Sequence, residues 1–316
     1  MSILLTFLSG TAEGLWWAIL TIGVYITYRL LDFADLTVEG SLPLGAAVTA
    51  VMINAGVNPI LAVLISFLAG CAAGFSTGIL NTLCKIPPIL AGILTMIALY
   101  SVNLRIMSDK ATVTITSETL KEQTMSLLKI SNVNVNSVII GVIFCAVIIA
   151  VLYLFFGTEI GAAIRATGQN KNMSRALGIN TNVMTVIALM ISNGLVALSG
   201  SLIAQFDYGS AIVTMGQGSI VIGLASVIIG EVIFCHKDHN FAYKLSAMVF
   251  GAIIYRCIIA FALRINIFKA TDLKIMTAVI VAFALSLPVI KEKLAIRKMK
   301  IAHIKENAAQ EGKKHA

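Results

Sequence analysis

The feature that most constrains this chain is the length of its apolar runs, which recur between residues 12 and 290 without alternation of polar and apolar residues. A helix needs about 20 apolar residues to cross the hydrocarbon core of a bilayer. Only 12% of the 316 residues are charged, whereas soluble domains carry about 25%. The sequence therefore predicts an all-α, polytopic membrane protein.

Polar breaks divide the apolar sequence into spans, and we expect about eight to ten transmembrane helices. Nine spans are predicted, at 12–30, 41–56, 59–83, 89–107, 137–156, 183–206, 217–235, 241–263 and 272–290. Residues 1–290 then form a single transmembrane domain and residues 291–316 a basic tail. Ser41 and Pro43 suit a helix start, which predicts a broken helix near 32–56. Gly209, Gly216 and Gly218 predict a bent segment before the span at 217–235.

Lysine and arginine are distributed unevenly between the two sides of this arrangement. The side of the tail holds fifteen and the other side seven, while Arg256 falls inside a span. The positive-inside rule therefore predicts a cytoplasmic C-terminus and an external N-terminus. Five of the eight net positive charges lie in the tail. This location favours anionic lipid headgroups as its partner and argues against nucleic acid.

The sequence predicts neither catalysis nor a metal site. The five cysteines lie singly in or beside apolar runs, and His236 and His239 belong to a short loop. No Gly-x-x-x-x-Gly-Lys-Ser/Thr segment is present to hold the phosphates of ATP. We therefore expect a chain without enzyme activity and without a cofactor of its own.

The polar stretch between the spans at 137–156 and 183–206 has the signals of two short helices. Thr158 is a suitable cap for a helix over 159–167, which Gly168 would end. A second helix over 173–177 would start at an asparagine cap and end at Gly178. On the predicted topology both helices lie on the cytoplasmic side, either as a docking surface or as a solvated connector.

Polar residues inside or beside the spans allow two interpretations. Asp32, Asp35 and Glu39 lie near Arg29, where they serve helix capping and interfacial solvation or else gating and solute contact. Polar side chains within spans bond neighbouring helices or line a water-filled path. The residues that such a path would use are Asp35, Glu39, Asn81, Thr95, Ser192 and Asn193, and Asn103 is a further polar position in a span.

Glu231 and Arg256 lie in adjacent predicted spans but at different depths. At ~1.5 Å of rise per residue, their depths differ by roughly 15 Å. We therefore expect no direct salt bridge between them, and the role of Arg256 stays open.

Three stretches resemble the permease subunits of ABC importers of the ribose and branched-chain amino acid type. They are LDFADLTVEGSLPLGAAVTA at 31–50, GILNTLCKIPPILAGILTMIALYSVNL at 78–104 and the segment 157–202, which contains IRATGQNKNMSRALGIN. The first stretch is similar to the branch of this family associated with aromatic amino acids, tryptophan or tyrosine.

The resemblance implies a pore in the bacterial cell membrane, formed with a second permease copy, most simply as a homodimer. It also implies a pair of ABC ATPase subunits, which bind ATP and Mg²⁺, and an extracytoplasmic substrate-binding lipoprotein. The positions that match the ATPase-coupling region of the family are Arg165, Gly168, Lys171, Arg175, Ala176, Leu177 and Gly178.

The expected solute is a small molecule, an aromatic or branched-chain amino acid, and the alternative within the family is a sugar or a nucleoside. Two other classes of protein compete with the importer. An ion-driven secondary transporter predicts carboxylates deep in several spans, but the spans 137–156 and 183–206 contain none. A structural or regulatory membrane protein would not need broken helices or a polar lining.

Overall fold

The computed structural model of the chain is almost entirely helical, and it describes residues 3–129, 132–234, 240–264, 274–275, 277–283 and 286. Its helices are α1 (Ile3–Tyr25), α2 (Val38–Asn54), α3 (Pro59–Thr82), α4 (Pro88–Ile106), α5 (Leu120–Leu128), α6 (Val133–Gly157), α7 (Glu159–Gln169), α8 (Lys171–Ala176), α9 (Thr181–Ile203), α10 (Ser219–Phe234) and α11 (Phe241–Arg264). Short π-helical segments, π1 (Ile26–Leu30) and π2 (Ala204–Tyr208), extend α1 and α9. Strands β1 (Thr112–Thr114) and β2 (Ser210–Ile212) pair antiparallel.

The predicted spans agree with this architecture. Six helical segments in the described part of the chain are long and apolar enough to cross a membrane, and α2 and α10 are shorter apolar helices. These eight coincide with the first eight predicted spans, which confirms the all-α, polytopic fold. The ninth predicted span, 272–290, lies partly outside the described residues, and the tail, Cys235, His236 and His239 lie wholly outside them.

Helices α1, α2 and α9 form the centre of the protein, whereas α4 and α6 lie at its periphery. Trp16 and Ile19 of α1 and Leu42 of α2 are fully buried. By contrast, Leu154 of α6 is 71% exposed and Leu90 of α4 is 47% exposed. Outward-facing apolar side chains on long helices are expected where a protein contacts lipid rather than water.

Small residues allow the central helices to approach each other closely. A Cβ atom added at Gly70 or Gly74 of α3 would overlap the backbone of α9. A Cβ at Gly14 of α1 would lie 2.7 Å from Cα of Ile253 in α11. Association of membrane helices depends on such backbone contact, since lipid is as apolar as the helix surfaces.

The two ends of the helical bundle have different structures. At one end, which we call the α7–α8 face, α7 packs against π1 and the start of α9. At the other end, which we call the β face, β1 pairs with β2, and α5 packs against π2 and α6. No helix is predicted from the sequence between the spans at 89–107 and 137–156, where α5 lies. The capping box of Thr119 and Glu122 at its start is the signal that would have identified this helix.

Candidate functional site

The backbone between π1 and α2 is irregular and lies inside the protein. Asp35 is 2% exposed and Thr37 is fully buried. Oδ1 of Asp35 accepts a hydrogen bond from Thr37 N at 2.9 Å, and Oδ2 accepts one from Nδ2 of Asn193 at 2.7 Å. Asn193 lies twelve residues beyond Thr181, the first residue of α9, which places it about 18 Å along that helix.

The predicted broken helix is therefore present, and α2 begins deep in the bundle. Irregular backbone is tolerated at membrane depth only where protein or a cavity surrounds it. The helix starts at Val38 rather than at Ser41, because Asp35 bonds the backbone at Thr37 just ahead of it. Oγ of Ser41 instead donates to Oδ1 of Asn193 at 2.7 Å. Burial argues against interfacial solvation of Asp35, whose bond to Thr37 N lies at the start of α2, whereas Asp32 is exposed.

A second group of hydrogen bonds fixes the same segment to α3 and α4. The hydroxyl of Thr77 lies 2.8 Å from that of Thr37 and donates to Thr95 at 3.0 Å. These hydroxyls are buried, so they form a link between helices rather than an open polar surface. Together with Asn193, they hold the broken helix against three neighbouring helices.

Two other residues of the predicted path lie apart from the broken helix. Oγ of Ser192 donates to the carbonyl of Gly23 at 2.7 Å, which joins α9 to α1. Nδ2 of Asn81 donates to the carbonyl of Ile86 at 2.8 Å, in the turn between α3 and α4. The structure therefore places both side chains at helix contacts and turns.

A cavity of about 600 Å³ lies between α2, α4 and the connector that follows β2; we call it the α2–α4 cavity. Glu39 is the one residue of the predicted path in its wall, and its Oε1 accepts from Gly218 N at 3.0 Å. Gly218 has φ of +84°, a conformation that glycine adopts without strain. Met96, Ile97 and Tyr100 of α4 form an apolar side of the cavity.

Asn103 also belongs to the cavity wall and is fully buried. Its Nδ2 donates to the carbonyl of Gly40 at 3.2 Å. No group in the described part of the chain donates to its Oδ1. An unpaired buried acceptor is uncommon and costs free energy. The sequence analysis noted Asn103 as polar but did not include it in the path.

The connector after β2 is held close to α2 at Pro43. Because proline has no N–H, the carbonyl of Glu39 lacks its usual helical donor. Gly216 packs at this point: an added Cβ would overlap the Glu39 carbonyl oxygen and lie 2.7 Å from Cδ of Pro43. The bent segment predicted from the glycines therefore closes one side of the α2–α4 cavity.

The short helices of the α7–α8 face form largely as predicted. The side chain of Thr158 accepts from Gly161 N, and that of Asn170 accepts from Met173 N. Gly178, which follows the second short helix, α8, has φ of +82°. Gly168 does not end α7, which continues to Gln169. Its role is close packing, since a Cβ there would overlap the carbonyl oxygen of Leu30 at the end of π1.

The predicted coupling residues divide into an exposed group and a packed group. Lys171, Arg175, Ala176, Leu177 and Gly178 are exposed. Leu177 is 68% exposed, and Nε of Arg175 donates to Oγ1 of Thr181 at 2.9 Å. Arg165 instead donates from Nη2 to the carbonyl of Phe156 at 3.1 Å. The exposed group, which we call the α8 patch, is basic and apolar and contains no carboxylate.

Arg256 has partners on α1 that the sequence analysis did not identify. Its Nη1 lies 3.5 Å from Oε2 of Glu13, and its Cζ lies 4.0 Å from the ring centroid of Trp17. Glu231 pairs with Arg29 at 2.8 Å, so the expected absence of a bridge to Arg256 is confirmed. Glu13 and Trp17 are four residues apart on one helix face, and this spacing was the available signal.

Comparisons with known proteins agree with this architecture. A family model described as branched-chain amino acid transport system / permease component matches residues 6–287. The tyrosine transport system permease protein of Clostridioides difficile is 39% identical over 264 residues, which cover 84% of this chain and 85% of that protein. The autoinducer 2 import system permease protein LsrC of Photorhabdus luminescens is 28% identical over 63% of this chain and 57% of that protein.

A solved structure shares the fold. It is PsaBC from Streptococcus pneumoniae in complex with Fab, which aligns with a TM-score of 0.50 over 87% of this chain and 89% of that chain at 11% identity. Many apolar helices, a broken helix deep in the bundle and the match over residues 6–287 lead to one assignment. The chain belongs to the branched-chain amino acid transport system / permease component family and is an ABC importer permease for a small solute.

Proposed function

We propose that this chain forms the pore of an ATP-driven importer for an amino acid, with an aromatic amino acid as the first candidate. The observation that carries the proposal is the 39% identity to a tyrosine transport system permease over 85% of that protein's length. An identity of this extent over most of both chains favours a related solute. The cavity beside the broken helix supplies a site of suitable size.

In the proposed assembly, two copies of the permease form the pore in a bacterial cell membrane. A pair of ABC ATPase subunits docks on the α7–α8 face, and a substrate-binding lipoprotein docks on the β face. This places the C-terminus in the cytoplasm, in line with the excess of lysine and arginine on that side. The α8 patch offers cationic and apolar side chains to an ATPase, with Lys171 and Arg175 as the charges and Leu177 as the apolar contact.

Uptake by intact cells tests the solute. Cells that produce the chain with its partners should accumulate radiolabelled tyrosine or tryptophan, and cells without the chain should not. Leucine and ribose serve as competitors for the branched-chain and sugar alternatives. Uptake should persist when a protonophore collapses the ion gradients while ATP is maintained. Uptake that ends with the gradient would contradict an ATP-driven importer, and competition by ribose but by no amino acid would contradict the solute class.

A charge reversal on the α8 patch tests the docking of the ATPase. Arg175→Glu should reduce both uptake and the solute-stimulated ATP hydrolysis of the purified complex by about tenfold, since an interfacial charge pair becomes a repulsion. Lys171→Glu should act in the same direction, because Lys171 is exposed on the same patch.

Two matched controls separate docking from folding in this experiment. Thr181→Val removes the hydrogen bond to Nε of Arg175 but keeps the charge, and should therefore retain hydrolysis. Lys110→Glu makes the same change of charge at an exposed position before β1, on the opposite face from α8, and should retain the ATPase subunits through purification, whereas Arg175→Glu should lose them. Full hydrolysis in Arg175→Glu, or equal loss of the ATPase subunits from Lys110→Glu, would remove the coupling role from α8.

A further inference from the structure

The α2–α4 cavity has an electrostatic bias toward cations. Glu39 is the only charged side chain among the described residues of its wall, which contains neither lysine nor arginine. The carboxylate is half-buried, and its Oε1 accepts from Gly218 N. No hydrogen bond from a described residue reaches its Oε2. A negative charge without a partner in a low-dielectric wall attracts a cationic group and repels an anionic one.

A second acceptor without a donor belongs to the same wall. Oδ1 of Asn103 is buried and unpaired, although Nδ2 of the same side chain is fixed on the carbonyl of Gly40. Asn103 is fully buried, so a donor in the cavity reaches Oδ1 only after a shift of the wall, whereas Glu39 is half-buried. An alkylammonium has three N–H donors and no acceptor, and it also neutralises the carboxylate.

Ser101 and Gln217 are the other polar side chains of the wall, and the rest of it is largely apolar. Met96, Ile97 and Tyr100 give the cavity an apolar side, and Ile97 and Tyr100 are 59% and 50% exposed. The volume of about 600 Å³ is within the range of small-molecule sites. A sugar needs several paired donors and acceptors around its ring, whereas an apolar side chain with an ammonium group at one end matches this wall.

We propose that the α2–α4 cavity is a solute site of the importer and that it recognises the solute through its ammonium group. Glu39 accepts an N–H donor of the solute, Asn103 accepts a second one once the wall shifts, and Met96, Ile97 and Tyr100 contact the apolar side chain of the solute. This inference rests on the proposed function for the identity of the chain as an amino acid importer. The donors left for a carboxylate are the neutral side chains of the wall, so the ammonium group contributes more to recognition than the carboxylate does.

Thiol protection in membranes that contain the intact complex tests the site directly. Ile97→Cys places a thiol in the cavity wall, and mass spectrometry of its modification by a maleimide distinguishes it from the native cysteines. The probes are tyrosine, tyramine, which lacks the carboxylate, and 3-(4-hydroxyphenyl)propionate, which lacks the ammonium group. Tyrosine and tyramine should slow the labelling of residue 97 on the order of tenfold, and the propionate should not.

Glu39→Gln tests the carboxylate without emptying its position, because glutamine keeps an oxygen that can accept from Gly218 N. In the Ile97→Cys background it should leave the labelling rate without solute unchanged and abolish protection by tyrosine and by tyramine. It should also reduce tyrosine uptake about tenfold at an unchanged membrane level. Glu118→Gln, at an exposed carboxylate outside the cavity, is the matched control and should alter neither.

The outcomes separate the site from the proposed function. Protection by the propionate equal to that by tyrosine, or full protection in Glu39→Gln, overturns ammonium recognition. Normal tyrosine uptake without any protection overturns the site and leaves the importer assignment intact. Protection by tyramine and tyrosine in a chain that imports no amino acid supports the site and overturns the proposed solute.

Discussion

Replacement of Asp35 by asparagine perturbs the contact that holds the broken helix. Two N–H donors bond the two oxygens of its carboxylate: the backbone N–H of Thr37 at 2.9 Å and Nδ2 of Asn193 at 2.7 Å. Asparagine offers one acceptor oxygen and one donor NH₂ group. Whichever way its amide is oriented, one of the two donors will face another donor instead of an acceptor.

The size of the stability loss depends on the cost of leaving that donor without an acceptor. A hydrogen bond between membrane helices contributes only ~0.6 kcal/mol on average, whereas an unpaired buried donor costs ~1–3 kcal/mol. The second effect dominates at Asp35, because the residue is 2% exposed and water cannot replace the lost acceptor. We expect Asp35→Asn to lower the free energy of unfolding by about 2 kcal/mol. This corresponds to about a 30-fold change in the unfolding equilibrium.

The melting temperature of the detergent-solubilised protein, followed by size-exclusion chromatography after heating, measures this loss. Asp32→Asn is the matched control. Asp32 is exposed on the same segment and has φ of 53°, a conformation in which asparagine is as well accommodated as aspartate. It should leave the melting temperature unchanged, whereas Asp35→Asn should lower it.

A reciprocal exchange tests whether the pair itself is responsible. In Asp35→Asn combined with Asn193→Asp, the amide at residue 35 donates to the carboxylate at residue 193, so part of the lost stability should return. Recovery should be incomplete because Nδ2 of Asn193 also donates to the carbonyl of Leu189. A wild-type melting temperature for Asp35→Asn would refute the reasoning, as would a double variant no more stable than the sum of the single losses.

Three further changes have defined outcomes. Gly178→Val should reduce uptake more than Gly178→Asn, because a positive φ strains a β-branched residue and suits asparagine; equal uptake would contradict this. Gly168→Ala should destabilise the protein by ~1–3 kcal/mol through overpacking, measured by melting temperature, while Gly157→Ala, where an added Cβ meets nothing within 4 Å, should not. Arg256→Ala should lower the melting temperature more than Glu13→Ala, since both remove the ion pair and only the first removes the contact with Trp17; an equal or reversed order would contradict a stabilising role of that contact.

The helices were predictable because hydropathy and length determine them almost without regard to tertiary contacts. Thus α11 spans Phe241–Arg264 where the apolar run predicted 241–263, and α3 spans Pro59–Thr82 where it predicted 59–83. Local caps were equally accessible, since Thr158 and Gly178 act on residues within one turn. Each of these signals depends on a few neighbouring residues that the sequence displays directly.

The environments of the acidic residues near residue 35 could not be predicted in the same way. Asp32 is exposed, Asp35 is buried against Asn193, and Glu39 lies in a cavity wall. Since the backbone between π1 and α2 has no regular period, position in the sequence does not reveal the direction of a side chain. Asn193, the partner of Asp35, is 158 residues away in the sequence. The paired strands β1 and β2 are also far apart in the sequence.

The case of Arg256 shows that depth along a helix can exclude an ion-pair partner but cannot identify one. Depth alone excluded Glu231 as the partner of Arg256, because the rise per residue fixes how much two groups on adjacent spans differ in depth. Choice of the true partner required knowledge that α1, at the start of the chain, packs along α11, where Gly10 and Gly14 permit close contact. Such small-residue surfaces determine which helices are neighbours. The partner of a charge within a span is therefore better sought on the helix whose glycines allow close packing than on the next span in the sequence.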